Sequence, residues 1–292
     1  MNGRSTLCLV VPMYNEEERV AETLDPLIEF IGSKGEGSRL LFVDDGSTDG
    51  TVDVVRGRLE RRDCDNADML TRPHAGKGAA IRSGLLQART DVAAFCDVDL
   101  ATPLNELDRI VNAADTGSCL AVGSRATQDA ALENRETRRR ELAGRTFNRV
   151  VRHSLCGGIV DTQCGAKAAP SAVWRRVLDH SNEEGFAWDV EVIALCLRLE
   201  IPVREIGITW NHDERTRVRV LHDGMAMVRS VPRIWRRVRR VSPMFQTARE
   251  PQAAPQPHAA PEPEAAQAAP GPQVVPDSPV PAFAPDATPA TA

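Results

Sequence analysis

The chain has 292 residues, of which 42% are hydrophobic, and this is enough for one large α/β core. Five of its 41 acidic residues follow Arg249, where there is no Lys or Arg, so the formal net charge of −5 belongs to the tail. The seven cysteines form no Cys-x-x-Cys pair, which argues against a disulfide framework or a zinc site and favours a reducing cytosol. No apolar stretch approaches the roughly 20 residues of a membrane span, and residues 7–11 are too short for a signal peptide.

Short apolar runs alternate with helical signals through the first half of the chain. Strands are predicted at residues 6–11, 40–43, 69–70, 92–96 and 120–123, and helices at about 14–33, 49–61, 79–88 and 103–114. This alternation predicts an α/β fold in which a mostly parallel, Rossmann-like sheet carries helices on both faces. In such sheets, ligands bind beyond the carboxyl ends of the strands.

Four of the predicted strands end in polar, mainly acidic residues. These ends are residues 12–16, 44–47, 97–99 and 123–125. A lone Asp-x-Asp is more often a solvated strand end than a metal site, but here the three other ends are expected to lie beside it. Asp97 and Asp99 are hard oxygen ligands suited to Mg²⁺ or Mn²⁺ held between the protein and a substrate's phosphates. The four strand ends together predict a site for a metal ion and a nucleotide.

Three further residues provide contacts that a nucleotide sugar needs. Asp45 is suited to accept hydrogen bonds from the base or ribose, and Arg125 to contact a phosphate oxygen. Lys77 lies in a Gly-Lys-Gly sequence at a predicted helix start, where it can contact a phosphate or a sugar. The chain has neither a Walker loop nor a G-x-G-x-x-G sequence before a helix, which argues against a dinucleotide dehydrogenase.

The second half of the chain is less regular. It contains an Arg-rich predicted helix at residues 133–153, a polar loop at 161–167 that enters a short strand, a helix at 188–199 and a last strand at 203–210. Residues 221–241 are predicted to form one helix, kinked or divided in two by Pro232. The predicted domains are a catalytic domain at 1–220, basic amphipathic helices at 221–248 and a disordered, Pro/Ala-rich acidic tail at 249–292.

The segment 221–248 is unusually basic. Arginines at 233, 236, 237, 239 and 240 alternate with Ile234, Trp235 and Val238. This pattern favours an interfacial helix that makes a peripheral contact with the cytoplasmic face of a membrane. The alternatives are a solvated helix face and a basic adaptor for a membrane or nucleic acid, although no nucleic-acid partner is expected.

Several motifs together resemble those of the large inverting glycosyltransferase family with the GT-A fold. They are Val10–Glu16, Val43–Thr51, Asp97–Asp99 and Val122–Arg125. Within that family the chain is most similar to the dolichyl-phosphate or polyprenyl-phosphate sugar synthases, and its nearer branch is the dolichyl-phosphate β-glucosyltransferases. That branch is indicated by Gly76–Arg82, Asp97–Thr102, Gly123–Ala126 and Asp161–Lys167, and the likeness extends from about Leu7 to Arg240.

The resemblance implies that a hexose is transferred with inversion from a nucleotide sugar to a polyprenyl or dolichyl phosphate. It assigns Pro12, Tyr14, Glu16, Val43 and Asp45 to the nucleotide, and Asp97, Val98 and Asp99 to the diphosphate, with Asp97 and Asp99 as ligands of Mg²⁺ or Mn²⁺. Arg125 would contact the donor phosphates. Asp161 would have a catalytic or acceptor-orienting role. Arg217 matches a family lysine and would bind phosphate, with Arg215 and Arg219 as alternatives.

The donor and the acceptor stay open at this point. The mannosyl branch usually has Gln where this chain has Ala101, which favours UDP-glucose over GDP-mannose. A soluble or polysaccharide acceptor is the alternative to the lipid phosphate.

Overall fold

In a computed structural model of the protein, residues 5–62, 64–127, 131–132, 151, 154–211 and 220–243 are described. Arg217, the tail from residue 249 and all but Val151 of the predicted helix at 133–153 lie outside these residues. The chain divides after Ala248, and every element below belongs to the unit before that point.

Nine strands and seven helices make up the described fold. The strands are β1 (Leu7–Met13), β2 (Arg39–Asp44), β3 (Ala67–Thr71), β4 (Val92–Cys96), β5 (Leu120–Ser124), β6 (Ala131–Leu132), β7 (Ala166–Pro170), β8 (Val203–Gly207) and β9 (Thr209–Trp210). The helices are α1 (Glu17–Gly32), α2 (Thr51–Arg62), α3 (Lys77–Gln87), α4 (Leu104–Gly117), α5 (Ser171–Leu178), α6 (Trp188–Arg198) and α7 (Val220–Arg240).

Seven strands form one sheet in the order β3-β2-β1-β4-β7-β5-β8, and β6 pairs with β9 separately. Within the large sheet β7 is antiparallel to both of its neighbours, whereas the other pairings are parallel. The prediction of a mostly parallel α/β sheet is confirmed. The direction of β7 was not predicted, because a short buried strand has the same hydrophobic pattern in either direction.

The sheet separates two hydrophobic clusters, because alternate side chains of a strand point to opposite faces. In β4, Ala93 and Phe95 join the cluster beneath α3, α5, α6 and α7. Val92, Ala94 and Cys96 join the cluster beneath α1 and α4. Helices cover both faces of the sheet, as predicted, and in such a sheet ligands bind at the ends of the strands.

The two strand and helix boundaries that matter most for the site differ from the prediction. Helix α3 begins at Lys77, two residues earlier than predicted. The predicted last strand is divided into β8 and β9.

Helix α5 is absent from the predicted elements. Its Trp174 is buried in the core and donates a hydrogen bond to the Ala93 carbonyl at 2.8 Å.

Helix α7 packs on α6 through a buried ion pair. Glu191 of α6 is fully buried and accepts hydrogen bonds from the hydroxyl of Ser181, from two backbone N–H groups and from Arg237 of α7. Ser230 of α7 donates to Glu183 at 2.9 Å. The helix continues through Pro232, so it is one helix and not two. None of the described helices is long and apolar enough to cross a membrane.

Gly84 offers a test of how closely α3 packs on the sheet. A Cβ atom at this position would overlap the side chain of Val10 in β1. We expect G84A to lower the free energy of unfolding by about 1–3 kcal/mol, because the interior there has no room for a methyl group. Chemical denaturation measures this change.

The matched control is G57A in α2, where the nearest atom to an added Cβ lies 3.6 Å away on Arg61. This change should be neutral or stabilise the protein by up to about 1 kcal/mol, because Ala is a better helix former than Gly. Equal effects of the two substitutions would contradict the packing that the structure gives for α3.

Candidate active site

The two acidic residues Asp97 and Asp99 directly follow β4. Leu100 between Asp99 and Ala101 has a φ of 49°, and the turn lets the Ala101 N–H donate to Asp99 Oδ1 at 3.0 Å. Burial raises the pKa of Asp99, and the neighbouring charge of Asp97 raises it further. Two carboxylates that repel each other in this way are suited to bind a divalent cation, because the cation would remove the repulsion.

The described part of the chain offers no third carboxylate, imidazole or thiol grouped with these two acids. Within the residues that the structure describes, no group of three or more His, Cys, Asp or Glu side chains could hold a metal ion. Two carboxylates leave most positions of an octahedral ion to other oxygens, which fits an ion shared with a substrate's phosphates and water. The residues present therefore fit Mg²⁺ or Mn²⁺.

Asp97 is held between two other parts of the fold. The Nζ atom of Lys77 lies 2.7 Å from Asp97 Oδ1. On the other side, the Asp97 carboxylate packs directly on the backbone of Gly165, where any side chain would overlap it, and the Asp97 N–H donates to the Gly165 carbonyl at 3.2 Å. These contacts fix the carboxylate at the point where β4, α3 and the segment before β7 meet.

Lys77 is the first residue of α3, and its position depends on Gly76. Gly76 has a φ of 123°, and a Cβ there would lie 2.5 Å from the Glu184 carbonyl oxygen, so glycine is required. Burial alone would lower the pKa of Lys77, but the carboxylates of Asp97, Asp189 and Asp99 outweigh it and raise the pKa. Lys77 therefore carries a positive charge beside the acidic pair.

Asp45 follows β2 and organises the loop that leads to Lys77. Its buried carboxylate accepts from Arg72 at 2.5 Å and from the Gly76 N–H at 2.7 Å, and it lies 2.8 Å from His74 Nδ1. The half-exposed ring of Tyr14 stacks on His74 with 4.1 Å between the ring centroids. The contacts of Asp45 are thus with the chain itself, and its contact with a base or ribose stays a prediction.

Arg125, which follows β5, is held by the buried carboxylate of Asp161. Arg125 donates from Nε to Oδ2 at 2.7 Å, from Nη2 to Oδ1 at 3.0 Å and from its backbone N–H to Oδ2 at 2.9 Å. Burial alone would raise the pKa of Asp161, but Arg125 and the N–H of Gln163 lower it to about 2. Glu205 of β8 anchors this turn, because it accepts from the N–H groups of Val160 and Asp161 and from the Ser124 hydroxyl.

A buried ion pair joins β7 to α6 next to the site. Lys167 of β7 is fully buried and donates to the carboxylate of Asp189 in α6 and to the Cys164 carbonyl at 2.7 Å. This pair ties the segment before β7 to the helix whose Asp189 also acts on Lys77. It therefore helps to hold the segment whose Gly165 packs on Asp97.

Five of the residues that the sequence assigned to the site take part in a series of contacts along the edge of the sheet. Asp45 contacts Gly76, Lys77 contacts Asp97, Asp97 packs on Gly165, and Asp161, four residues before Gly165, binds Arg125. Pro12 is the penultimate residue of β1 and pairs with Val43 of β2, Val98 is buried between the two acids, and Glu16 pairs with Arg19. Arg217 lies outside the described residues, so its role stays a prediction.

Four positioning residues were not found from the sequence. They are Gly165, Arg72, His74 and Glu205. Each acts by contacting a residue distant in the chain, and nothing in its local sequence indicates the partner. The motif containing Gly165 was noted, but only a fold that places it against Asp97 gives it a role.

Comparison with known proteins places this geometry in a family. The family model described as "Glycosyl transferase family 2" matches residues 8–178, more than half of the chain. A dolichyl-phosphate β-glucosyltransferase of Drosophila melanogaster is 30% identical over 244 residues, which cover 78% of this chain and 74% of the relative. The enzyme of the same name from Dictyostelium discoideum is 28% identical over 241 residues, covering 78% and 73%.

Solved structures show the same fold. Glucosyl-3-phosphoglycerate synthase from Mycobacterium tuberculosis, solved with Mn²⁺, UDP-glucose and phosphoglyceric acid, superposes with a TM-score of 0.60 at 17% sequence identity over 79% of this chain and 80% of the other. The same enzyme has also been solved with Mg²⁺ and UDP. With the fold, the acidic strand ends and the family match in agreement, the chain belongs to glycosyl transferase family 2 and is a hexosyltransferase.

Proposed function

We propose that this enzyme transfers glucose from UDP-glucose to a dolichyl or other polyprenyl phosphate, with inversion at the sugar. The observation that carries the proposal is that β4 and β5 run in the same direction on either side of β7, so Asp97 and Asp99 follow β4 at the edge of the sheet where Arg125 follows β5. Lys77 contacts Asp97 at that edge, and together two carboxylates and two basic side chains could bind a divalent cation with its diphosphate. The names of the two relatives and the presence of Ala101 in place of Gln support glucose and a lipid phosphate.

Each residue then has a part in binding or orientation. Asp97 and Asp99 would hold Mg²⁺ or Mn²⁺, which neutralises charge on the leaving diphosphate when it is bound. Lys77 and Arg125 would contact diphosphate oxygens. The acceptor phosphate is already anionic, so transfer needs no strong general base in the protein. The exposed ring of Tyr14 beside His74 would contact the nucleoside.

Asp161 is proposed as a positioning residue for Arg125 rather than as a base. Both of its oxygens accept hydrogen bonds from Arg125, and its pKa of about 2 makes it a poor proton acceptor at neutral pH. Because its folded pKa lies below the ordinary value, the carboxylate stays ionised at neutral pH and loses its charge only as the pH falls toward about 2.

Helix α7 is proposed as a contact with a membrane surface, and the lipid acceptor supports a site at the cytoplasmic face. Met225, Val228 and Trp235 are exposed by 54%, 57% and 39%. At helical spacing they form a stripe in which the guanidinium of Arg239 stacks on the Trp235 ring at 4.0 Å, and Arg229, Arg233, Arg236 and Arg240 lie beside it around the helix. An apolar stripe beside a basic one fits the interface of a membrane with anionic headgroups. Arg237 is excluded from this surface because it binds Glu191.

The reaction product separates the possible functions. With radiolabelled UDP-glucose, Mn²⁺ and a short polyprenyl phosphate in detergent, we expect label in the organic phase, and much less with GDP-mannose. D99A should reduce the rate by about 100-fold or more, because the cation loses one of two protein ligands. D68A, which removes an exposed acid paired with Arg39, should leave the rate unchanged.

A new labelled compound in the aqueous phase, separated from UDP-glucose by anion-exchange chromatography and formed only when phosphoglyceric acid is offered, would instead favour a soluble acceptor like that bound in the mycobacterial structure. A membrane-binding adaptor predicts no transfer to either acceptor and a D99A variant that retains its function.

A variant of Asp161 tests whether this residue positions Arg125 or acts as a base. We expect D161N to lower the rate by about 10- to 100-fold, because Arg125 loses the charge that orients it. The pH–rate profile should keep its shape, since the carboxylate does not titrate in the measurable range. Loss of the acidic limb of the profile in D161N would identify Asp161 as a base and contradict the positioning role.

Vesicle binding tests the proposed membrane-contacting surface of α7. We expect R236E/R240E to weaken binding to vesicles that contain anionic lipid by about tenfold or more, because each Arg near such a surface contributes about 1 kcal/mol. Co-sedimentation measures the binding. The control R89E/R175E changes the charge by the same amount at two exposed arginines outside α7 and should have little effect. Equal losses in both variants would leave only a net-charge effect and defeat the proposed surface.

A further inference from the structure

The contact between Lys77 and Asp97 has a consequence for how the enzyme binds its donor. Asp97 presents one face of its carboxylate to the backbone of Gly165, and its Oδ1 atom is 2.7 Å from Lys77 Nζ. The Asp97 side chain is 38% exposed and that of Lys77 is 20% exposed, so the pair is accessible to a ligand and not sealed in the core. A cation that reaches Asp97 through Oδ1 must share or take over the oxygen that Lys77 now contacts.

Among the described residues, the two other acids that act on Lys77 are not available to bind it in exchange. Asp189 is already bonded to the buried Lys167, and Asp99 is the second predicted ligand of the cation. A cation bound alone would thus place two positive charges beside an ammonium that has lost its partner. The repulsion between these like charges raises the electrostatic energy of the site, and a newly bound anion would lower it.

A donor diphosphate provides such an anion at the right place. Lys77 is the first residue of α3, where the helix dipole favours negative charge. The N–H groups of Gly76 and Ala79 already donate to Asp45 and to the Glu184 carbonyl, so the ammonium of Lys77 is the group that a diphosphate would meet. The two negative charges of a nucleotide-sugar diphosphate would cancel the two charges of the cation. The ammonium of Lys77 could then move from Asp97 to a phosphate oxygen without leaving the site.

We propose that Lys77 is an exchangeable counter-ion, which binds Asp97 before the donor arrives and passes to the donor's diphosphate when a divalent cation takes its place. This inference rests on the proposed cation site and adds a coupling to it. Lys77 opposes binding of the cation alone and favours binding of the cation together with a diphosphate. The two ligands therefore bind cooperatively, and the cooperativity is reciprocal.

The experiment measures the binding of Mn²⁺ and the binding of UDP separately for the wild type, K77M and K77R. Binding of Mn²⁺ alone is followed by electron paramagnetic resonance of the free ion, and binding of UDP is followed by calorimetry with and without Mn²⁺. We expect K77M to bind Mn²⁺ alone about tenfold more tightly than the wild type, while the factor by which Mn²⁺ improves UDP binding falls about tenfold. K77R keeps the charge and should resemble the wild type in both measurements.

The opposite signs of the two effects distinguish the proposal from a simpler role. If Lys77 only binds phosphate, K77M will weaken UDP binding and leave the affinity for Mn²⁺ alone unchanged, and that result overturns the exchange. Weaker binding of Mn²⁺ by K77M overturns it as well. K77Q serves as a second neutral variant if K77M does not fold, as judged by thermal unfolding.

The Mn²⁺-only measurement contains no nucleotide and no acceptor. It therefore tests the exchange even if the enzyme uses another nucleotide or acceptor than those proposed. Conversely, a lipid product in the transfer assay would support the proposed function whatever K77M does to Mn²⁺ binding.

Discussion

The carboxylate of Asp97 is the point at which three separate parts of the fold meet. It follows β4, contacts Lys77 at the start of α3 and packs on Gly165 just before β7. None of these parts is close to another in the sequence. Their meeting depends on the sheet, because parallel strands bring their carboxyl ends to one edge. The antiparallel strand β7 completes the arrangement, since the residues that precede an antiparallel strand lie at the edge where its parallel neighbours end.

That geometry explains what the sequence could and could not predict. Strands that end in Asp45, Asp97 and Arg125 were predicted to converge, because apolar runs that alternate with helices indicate a parallel sheet. The sheet confirms that fold class, although the roles of these residues stay predictions. The place of Asp161–Gly165 at the same edge came from family resemblance alone. Hydrophobic pattern does not give the direction of a short buried strand, so the contact between Gly165 and Asp97 could not be inferred from it.

The pairing of buried charges in the interior could not be predicted from the sequence either. Asp161 binds Arg125, Asp189 binds Lys167, and Glu191 binds Arg237, and each of the three acids is almost fully buried. Such pairs gain little stability over apolar side chains, since both charges lose water, but breaking one leaves an unpaired buried charge. They therefore fix the position of particular side chains rather than hold the fold together. A sequence shows the charges but not which of them are paired.

Helix α7 has apolar residues and arginines on both its buried and its exposed side. Its sequence was interpreted as a basic amphipathic helix, with five arginines grouped around Ile234, Trp235 and Val238. In the structure the buried side of the helix contains Ile234 and Val238, whereas Trp235 lies on the exposed side with most of the arginines. Arg237 turns toward α6 because Glu191 would otherwise be an unpaired buried charge. Apolar residues on both sides of one helix cannot all belong to the core. The exposed stripe and the arginines next to it are the basis of the proposed contact with an anionic membrane surface, which stays a prediction.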